Sequence, residues 1–155
     1  MSKLLFGLAI ISLVTIGSCD DKVNQFDLDK DPLKGKIDGV EWEYTGGRVD
    51  YSNFSNQAVG KIFNENLTDP CARVNTIFAH LDVAFPTERG NYNLPFINNT
   101  GFIKFVTPNG GPIYTATSGF LEIVEVNGFE IIGFISADFD EDNNVQGSFL
   151  VRICD

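Results

Sequence analysis

The chain has 155 residues, 43% of them hydrophobic and fourteen of them Phe, which is enough for one domain with a hydrophobic core. Its 21 acidic and 11 basic side chains give a formal net charge of −10. That charge excludes a nucleic-acid-binding protein, because neutralising phosphates requires a basic face. A single His leaves little material for a multi-histidine metal site or a Ser-His-Asp triad, so we expect no cofactor.

Residues 1–18 predict a signal peptide. Lys3 provides a positive start, and the apolar run 4–16 is shorter than the roughly 20 residues that span a bilayer. The run ends in the sequence IGSC at 16–19, which resembles the lipobox of bacterial lipoproteins. The resemblance implies cleavage before Cys19 and acylation of its sulfur and its new amine. The alternative is an ordinary secretory signal with a coincidental cysteine.

Residues 19–34 predict a lipidated acidic tether, since acyl chains on Cys19 would anchor the chain stably and the residues that follow are polar. Asp20 and Asp21 resemble the surface-export signal of lipoproteins in some Gram-negative phyla, whereas Asp there retains lipoproteins at the inner membrane in other lineages. A plain solvated spacer is the alternative. We expect a protein of the cell envelope that is held at the outer membrane through Cys19, with the periplasmic or surface face left open.

Residues 35–155 predict a single β domain, because short β-type runs alternate with Gly, Pro and Asn clusters. The first run, 36–44, alternates in polarity, which places Val40, Trp42 and Tyr44 on one face.

The clearest strand covers residues 73–85 and ends at Pro86. Its predicted core face carries Ile77, Ala79, Leu81, Val83 and Phe85. His80 and Asp82 then fall on the opposite face, which we expect to meet solvent. No Gly-x-Ser-x-Gly motif accompanies this His, so we interpret it as a surface residue.

The C-terminal third predicts three antiparallel strands. Asn127 and Gly128 separate the runs 119–126 and 129–139, and such a pair favours a type I′ hairpin turn. A third run, 145–154, returns after an acidic loop. The fold class is therefore all-β, an antiparallel β-sandwich or small β-barrel of about 7–9 strands, with residues 56–64 left open between helix and strand.

Four short motifs carry a wider resemblance: KIDGVEW at 36–42, GNYNL at 90–94, SGFLEI at 118–123 and GFISA at 133–137. Together they resemble a family of small uncharacterised lipoproteins of Gram-negative bacteria. The resemblance implies an antiparallel β domain and supplies no catalytic residue.

Two cysteines remain once Cys19 is assigned to lipid, and an even pair in an oxidising compartment predicts a disulfide between Cys71 and Cys154. The bond would tie the C-terminal strand to the loop before the central strand. By loop entropy it would stabilise the fold by about 4 kcal/mol. Two separate buried thiols are the alternative.

Asp138, Asp140 and Asp142 have the spacing of the first ligands in a calcium loop. The sixth position holds Asn143 where Gly is needed, and the twelfth holds Phe149 instead of the bidentate Glu. We therefore predict a solvated acidic hairpin tip and no metal site.

Trp42, Tyr44 and Tyr51 are the candidate ligand-binding residues, since three aromatic rings can form a platform for sugars. Trp42 and Tyr44 share the phase of Val40, which favours a place in the core instead.

The predicted function is that of an envelope-anchored, non-enzymatic binding or structural accessory module, whose loops at one end engage an unknown protein or glycan. One alternative is a secreted glycan hydrolase that uses two carboxylates. The other is a lipocalin-like carrier of a small apolar ligand, which requires a hollow interior.

Overall fold

The computed structural model describes residues 31–52, 56–71 and 77–154, and this part of the chain is almost entirely β. Its eleven strands are β1 Lys34–Ile37, β2 Val40–Glu43, β3 Gly46–Tyr51, β4 Gln57–Phe63, β5 His80–Pro86, β6 Gly90–Asn93, β7 Phe102–Val106, β8 Ile113–Thr115, β9 Ser118–Val126, β10 Glu130–Asp140 and β11 Asn143–Ile153. The all-β prediction is confirmed, and the ambiguous run 56–64 contains strand β4.

The strands form one curled sheet, a half-barrel, in the order β6-β9-β10-β11-β3-β4-β5-β7-β8, with β1 beside β11 and β2 beside β1. Neighbouring strands are antiparallel except for β3 and β11, which run parallel where Arg48 faces Arg152. The sheet is therefore mixed. No local pattern predicts this pairing, because its two strands come from opposite ends of the domain.

Strands β8 and β9 are two parts of one bent stretch of chain that reaches both ends of the sheet. The backbone N–H of Ala116 donates to the carbonyl of Ile103 at 2.9 Å, and that of Thr117 donates to the carbonyl of Asp138 at 2.9 Å. The first bond lies beside β7 and the second beside β10. The two ends of the half-barrel therefore meet at residues 116–117.

The concave side of the sheet is filled with large apolar side chains. Leu81, Val83 and Phe85 are fully buried, as the alternation of β5 predicts. The rings of Phe85 and Phe149 pack at a centroid distance of 6.0 Å. Burial of each such side chain stabilises the folded state by about 1.5–3 kcal/mol. The other large, fully buried members of this core are Leu33, Ile37, Ile62, Ile103, Phe105, Leu121, Ile123 and Ile131. Ile77 precedes the strand and is exposed, so its predicted core position is wrong.

The run 36–44 is a hairpin and not a single strand. Asp38 and Gly39 both adopt positive φ, at 57° and 73°, and join β1 to β2 in the two-residue turn that an Asp-Gly pair favours. Val40 shares a face of β2 with Trp42, as the alternation predicts, but it follows the turn and is 68% exposed, so it lies outside the core. Asn127 and Gly128 do separate two strands, but neither has positive φ, so the type I′ prediction is wrong there.

The packed part of the chain includes residues that the sequence assigns to the tether. Leu33 is fully buried, and Lys34 is the first residue of β1. The backbone N–H of Ser148 donates to the carbonyl of Asp31 at 2.8 Å. Gly147 allows this approach, because a Cβ there would overlap the backbone of the preceding segment. One Leu between Pro32 and Lys34 gives no sign of this packing.

Candidate functional site

The only His of the chain lies in a polar cluster on the outer side of β4 and β5. Lys61 Nζ forms an ion pair with Asp82 and lies 2.9 Å from His80 Nε2. His80 Nδ1 lies 2.9 Å from the carbonyl oxygen of Phe78, which can only accept, so Nδ1 carries a proton. Nε2 faces both the Lys61 ammonium and, at 3.4 Å, the Asp82 carboxylate.

His80 is only 2% exposed, so its predicted solvent-facing position is wrong. Partial burial raises the pKa of the Asp82 carboxyl, but contacts with His80 and Lys61 outweigh burial and hold that pKa below its usual range. Phe63, the cross-strand neighbour of His80 on the outer side, is buried as well. His80 is therefore closed to a substrate, whereas Lys61 and Asp82 stay partly exposed and are engaged with each other and with His80.

A connection between β4 and β5 covers this part of the sheet. We call residues 64–71 and 77–79 the crossing segment. Arg48 Nη1 of β3 donates to the carbonyl of Cys71 at 2.8 Å, and the backbone N–H of Asn109 donates to the carbonyl of Ile77 at 3.0 Å. The segment therefore reaches from β3 to the turn after β7.

Cys71 and Cys154 lie at disulfide distance, with their Cα atoms 5.7 Å apart and a separation of 83 positions in sequence. This is the pair that the cysteine count predicts. The link would hold the crossing segment to the end of β11, and so over the His80 cluster.

The three candidate aromatic residues do not form a common platform. Trp42 is buried in the core, and its Nε1 donates to the carbonyl of Ala79 at 3.1 Å. Tyr44 bridges to β11, because its hydroxyl donates to the Leu150 carbonyl at 2.6 Å and accepts from the Leu150 N–H at 3.2 Å. Burial raises the pKa of Tyr44. Tyr51 is exposed at a shallow surface depression.

The acidic hairpin tip uses its own polar groups to form its turn. Asp140 Oδ1 accepts from the backbone N–H of Asp142 at 3.1 Å and from Asn143 Nδ2 at 2.9 Å. Asn143 Oδ1 accepts from the backbone N–H of Asp38 in the neighbouring turn at 3.0 Å. Asp138, Asp140 and Asp142 are all exposed. Within the described ranges no three His, Cys, Asp or Glu residues are grouped to hold a metal ion.

A second surface lies on the outer side of β6, β9, β10 and β11, and it is partly exposed to solvent. The rings of Phe120 and Phe134 stack there at a centroid distance of 5.7 Å with 13° between their planes, and Phe120 is 38% exposed. We call this surface the outer aromatic face, defined by six residues on adjacent strands: Asn93, Phe120, Glu122, Phe134, Ser136 and Gln146.

A cleft of about 380 Å³ adjoins the outer aromatic face where β10 and β11 meet the start of the domain. Phe134 and Gln146 form one side, and Asp31, Pro32 and Lys34 form the other. This site is not among those predicted from the sequence. A signal was present, because Phe120 and Phe134 fall out of phase with the core residues of their own strands.

An apolar cleft of about 360 Å³ lies at the seam of the half-barrel, between the connection that precedes β7 and the end of β8. Leu94, Phe96, Ile103 and Ala116 are among its walls.

No protein family, curated protein or solved structure matches this chain. Cys19 and the predicted signal peptide lie outside the described residues. Of the helical segments in the described ranges, none has the length and apolar character needed to cross a membrane.

Proposed function

We propose that this chain is an envelope-anchored, non-enzymatic binding module, held at the membrane by lipid on Cys19, with the outer aromatic face as its ligand contact. The observation that carries the proposal is the stacked pair of Phe120 and Phe134 on the solvent side of a sheet whose concave side is already filled. Exposed aromatic side chains beside a cleft are typical of interaction sites.

The ionisable groups of the described residues favour binding over acid–base catalysis. Perturbed pKa values mark catalytic residues only when the groups can reach a substrate. Asp82 is held by Lys61, and the Tyr44 hydroxyl is used in a bond to Leu150. Burial also raises the pKa of Tyr92, whose hydroxyl donates to the carbonyl of Glu88 at 2.8 Å. Each of these groups already has a structural partner, which weighs against the hydrolase alternative.

The filled concave side weighs against a lipocalin-like carrier. Such a protein holds its ligand among inward-facing side chains. Here Phe85, Phe105 and Phe149 occupy that space and are fully buried.

The start of the described chain suits an anchored module. Asp31 lies at the wall of the cleft, and twelve peptide units separate it from Cys19. An extended chain of that length reaches at most about 40 Å. The outer aromatic face would therefore work close to the membrane surface.

Anchoring is tested by labelling cells with a radioactive fatty acid. The full chain should take up label, and Cys19→Ala should not. Label that persists on Cys19→Ala would contradict the anchor.

Binding is tested with a soluble form that starts at residue 19 and carries Cys19→Ser with a fluorescent dye at its N-terminus. We expect this form to bind saturably to envelope fragments. The fragments are prepared from cells of the native bacterium that do not produce this protein. Phe134→Leu should weaken that binding about tenfold, since it removes a ring but keeps apolar bulk. Lys61→Met, on the covered side of the sheet, should leave it unchanged. Non-saturable binding, or equal binding by both variants, would contradict the proposal.

A further inference from the structure

We propose that the ligand of the outer aromatic face is an uncharged saccharide chain. This inference rests on the proposed binding function and names the chemical class of the ligand.

The geometry of the face suits an extended ligand. Asn93, Phe120, Ser136 and Gln146 are successive register partners across β6, β9, β10 and β11. Neighbouring strands lie about 4.8 Å apart, so the row runs for about 14 Å across the sheet. It presents an amide, an aromatic ring, a hydroxyl and a second amide in a line, with Phe134 in the next row.

The hydrogen-bonding groups of the row match sugar hydroxyls. The amides of Asn93 and Gln146 and the hydroxyl of Ser136 can each donate and accept, as sugar hydroxyls do. Among the described residues, none of these three side chains bonds to another protein group, so all three can bond to a ligand.

The aromatic pair supplies the apolar part of the contact. A saccharide ring has faces made of C–H groups, and such a face packs against an aromatic ring while its hydroxyls reach the flanking amides. Phe120 and Phe134 are nearly parallel, so the two rings offer neighbouring contacts along one direction.

The balance of charge favours a neutral glycan over an anionic one. Recognition of carboxylate or sulfate groups needs Arg or Lys forks. Glu122 is the one charged residue among the six that define the face. The adjoining cleft adds one cation, Lys34, which is the register partner of Gln146, and one anion, Asp31, and the whole chain has a net charge of −10. The net negative charge of the protein would repel an anionic saccharide, whereas it would neither attract nor repel a neutral one.

Size distinguishes a saccharide from a protein partner. Clefts for small ligands measure about 300–1,000 Å³, and the cleft beside Phe134 and Gln146 measures about 380 Å³. A stable protein partner would instead cover about 800 Å² of surface on each side. Six side chains on four strands fit the smaller ligand.

The test uses the same soluble Cys19→Ser form and envelope fragments treated in two ways. Periodate cleaves the vicinal diols of sugars, and protease removes exposed proteins. We expect binding to fall at least tenfold after periodate and to persist after protease. Gln146→Glu, which replaces an amide by a carboxylate of the same shape, should weaken binding to untreated fragments about tenfold. Gln57→Glu, on a distant strand, is the control and should bind as the unmodified form does.

Salt separates neutral from anionic saccharides. Affinity should change less than about twofold between 50 and 500 mM NaCl, because no charge pair is formed. A steep fall with salt would overturn the neutral class. Binding that survives periodate and is lost after protease would overturn the saccharide inference but leave the binding module intact. Absence of saturable binding to untreated fragments would overturn both.

Discussion

The outer side of the sheet differs between its two halves. Over β4 and β5, which we call the closed half, the crossing segment lies across the strands and His80 is buried, while Lys61 and Asp82 are partly exposed and paired with each other. Over β9 and β10 the outer side is partly exposed, with Phe120 38% exposed and Phe134 half-buried. We call this part of the sheet the open half. The closed half contains Lys, His and Asp, residue types that often act in catalysis, but here their contacts with one another stabilise the fold. The open half holds ordinary aromatic and amide residues and is the better candidate for binding. Exposure, more than residue type, therefore separates a structural polar cluster from a binding face.

The largest expected effect follows from removing the link that holds the closed half. Cys71→Ser together with Cys154→Ser should lower the free energy of unfolding by about 4 kcal/mol, because the loop between them covers 83 residues. Denaturant unfolding of the soluble form measures this loss, and a reductant should reproduce it in the unmodified chain. Two free thiols in the unfolded, unreduced protein would show that the bond does not form.

A smaller effect concerns the charge pair under the crossing segment. Asp82→Asn should lower the free energy of unfolding at neutral pH by about 1 kcal/mol, since both side chains are partly exposed. Asp50→Asn, which removes the more exposed ion pair with Arg48, is the matched control and should cost less.

The pH dependence of this effect has a definite sign. The pKa of Asp82 is lowered in the folded state, so its contribution is present above the ordinary carboxyl pKa of about 3.9 and is lost as pH falls through the lower folded value. The difference between the unmodified chain and Asp82→Asn should therefore shrink only below about pH 4. A difference that grows on acidification would contradict this assignment.

Sequence reasoning predicted the elements that depend on local alternation. The core face of β5 and the run 145–154 follow directly from their period of two. The Asp38-Gly39 pair is a hairpin signal in the sequence. The alternating polarity of the run 36–44 nevertheless led to the prediction of a single strand. By contrast, the burial of His80 depends on a segment held by Cys154, far along the chain. No pattern around residue 80 could reveal that cover.

The candidate site could be predicted only in part. Phe120 and Phe134 each break the apolar phase of their strand, which marks aromatic residues on the outer side of the sheet. Their stacking needs the register that places Glu122 opposite Phe134, and that register comes from the β9–β10 hairpin. The cleft beside them needs residues 31–34, which the composition assigns to a spacer.

On the open half, loss of a ring should affect binding far more than stability. Phe134→Leu should change the free energy of unfolding by less than about 1 kcal/mol, because the side chain lies on the solvent side of the sheet. Thermal unfolding checks this value. A loss of about 3 kcal/mol, as for a buried Phe, would make Phe134 a packing residue.

The smallest effect is expected at the acidic tip. Calcium at about 0.1 mM should leave the melting temperature of the soluble form unchanged. A ligand present at a concentration of a hundred times its dissociation constant would instead raise the free energy of unfolding by about 2.7 kcal/mol. Asp140 is already engaged by its own turn. A shift of several degrees that disappears in Asp140→Ala would reveal a calcium site.

The most direct test of the account compares two phenylalanines of equal exposure. Phe120 is 38% exposed and stacks on Phe134, and Phe139 is 39% exposed and packs against Tyr114 at a centroid distance of 5.0 Å with the two rings tilted by 30°. The dissociation constant of the soluble form for envelope fragments should rise at least tenfold in Phe120→Leu and stay within twofold in Phe139→Leu. Equal affinities for the two variants would contradict the assignment of the outer aromatic face as the binding surface.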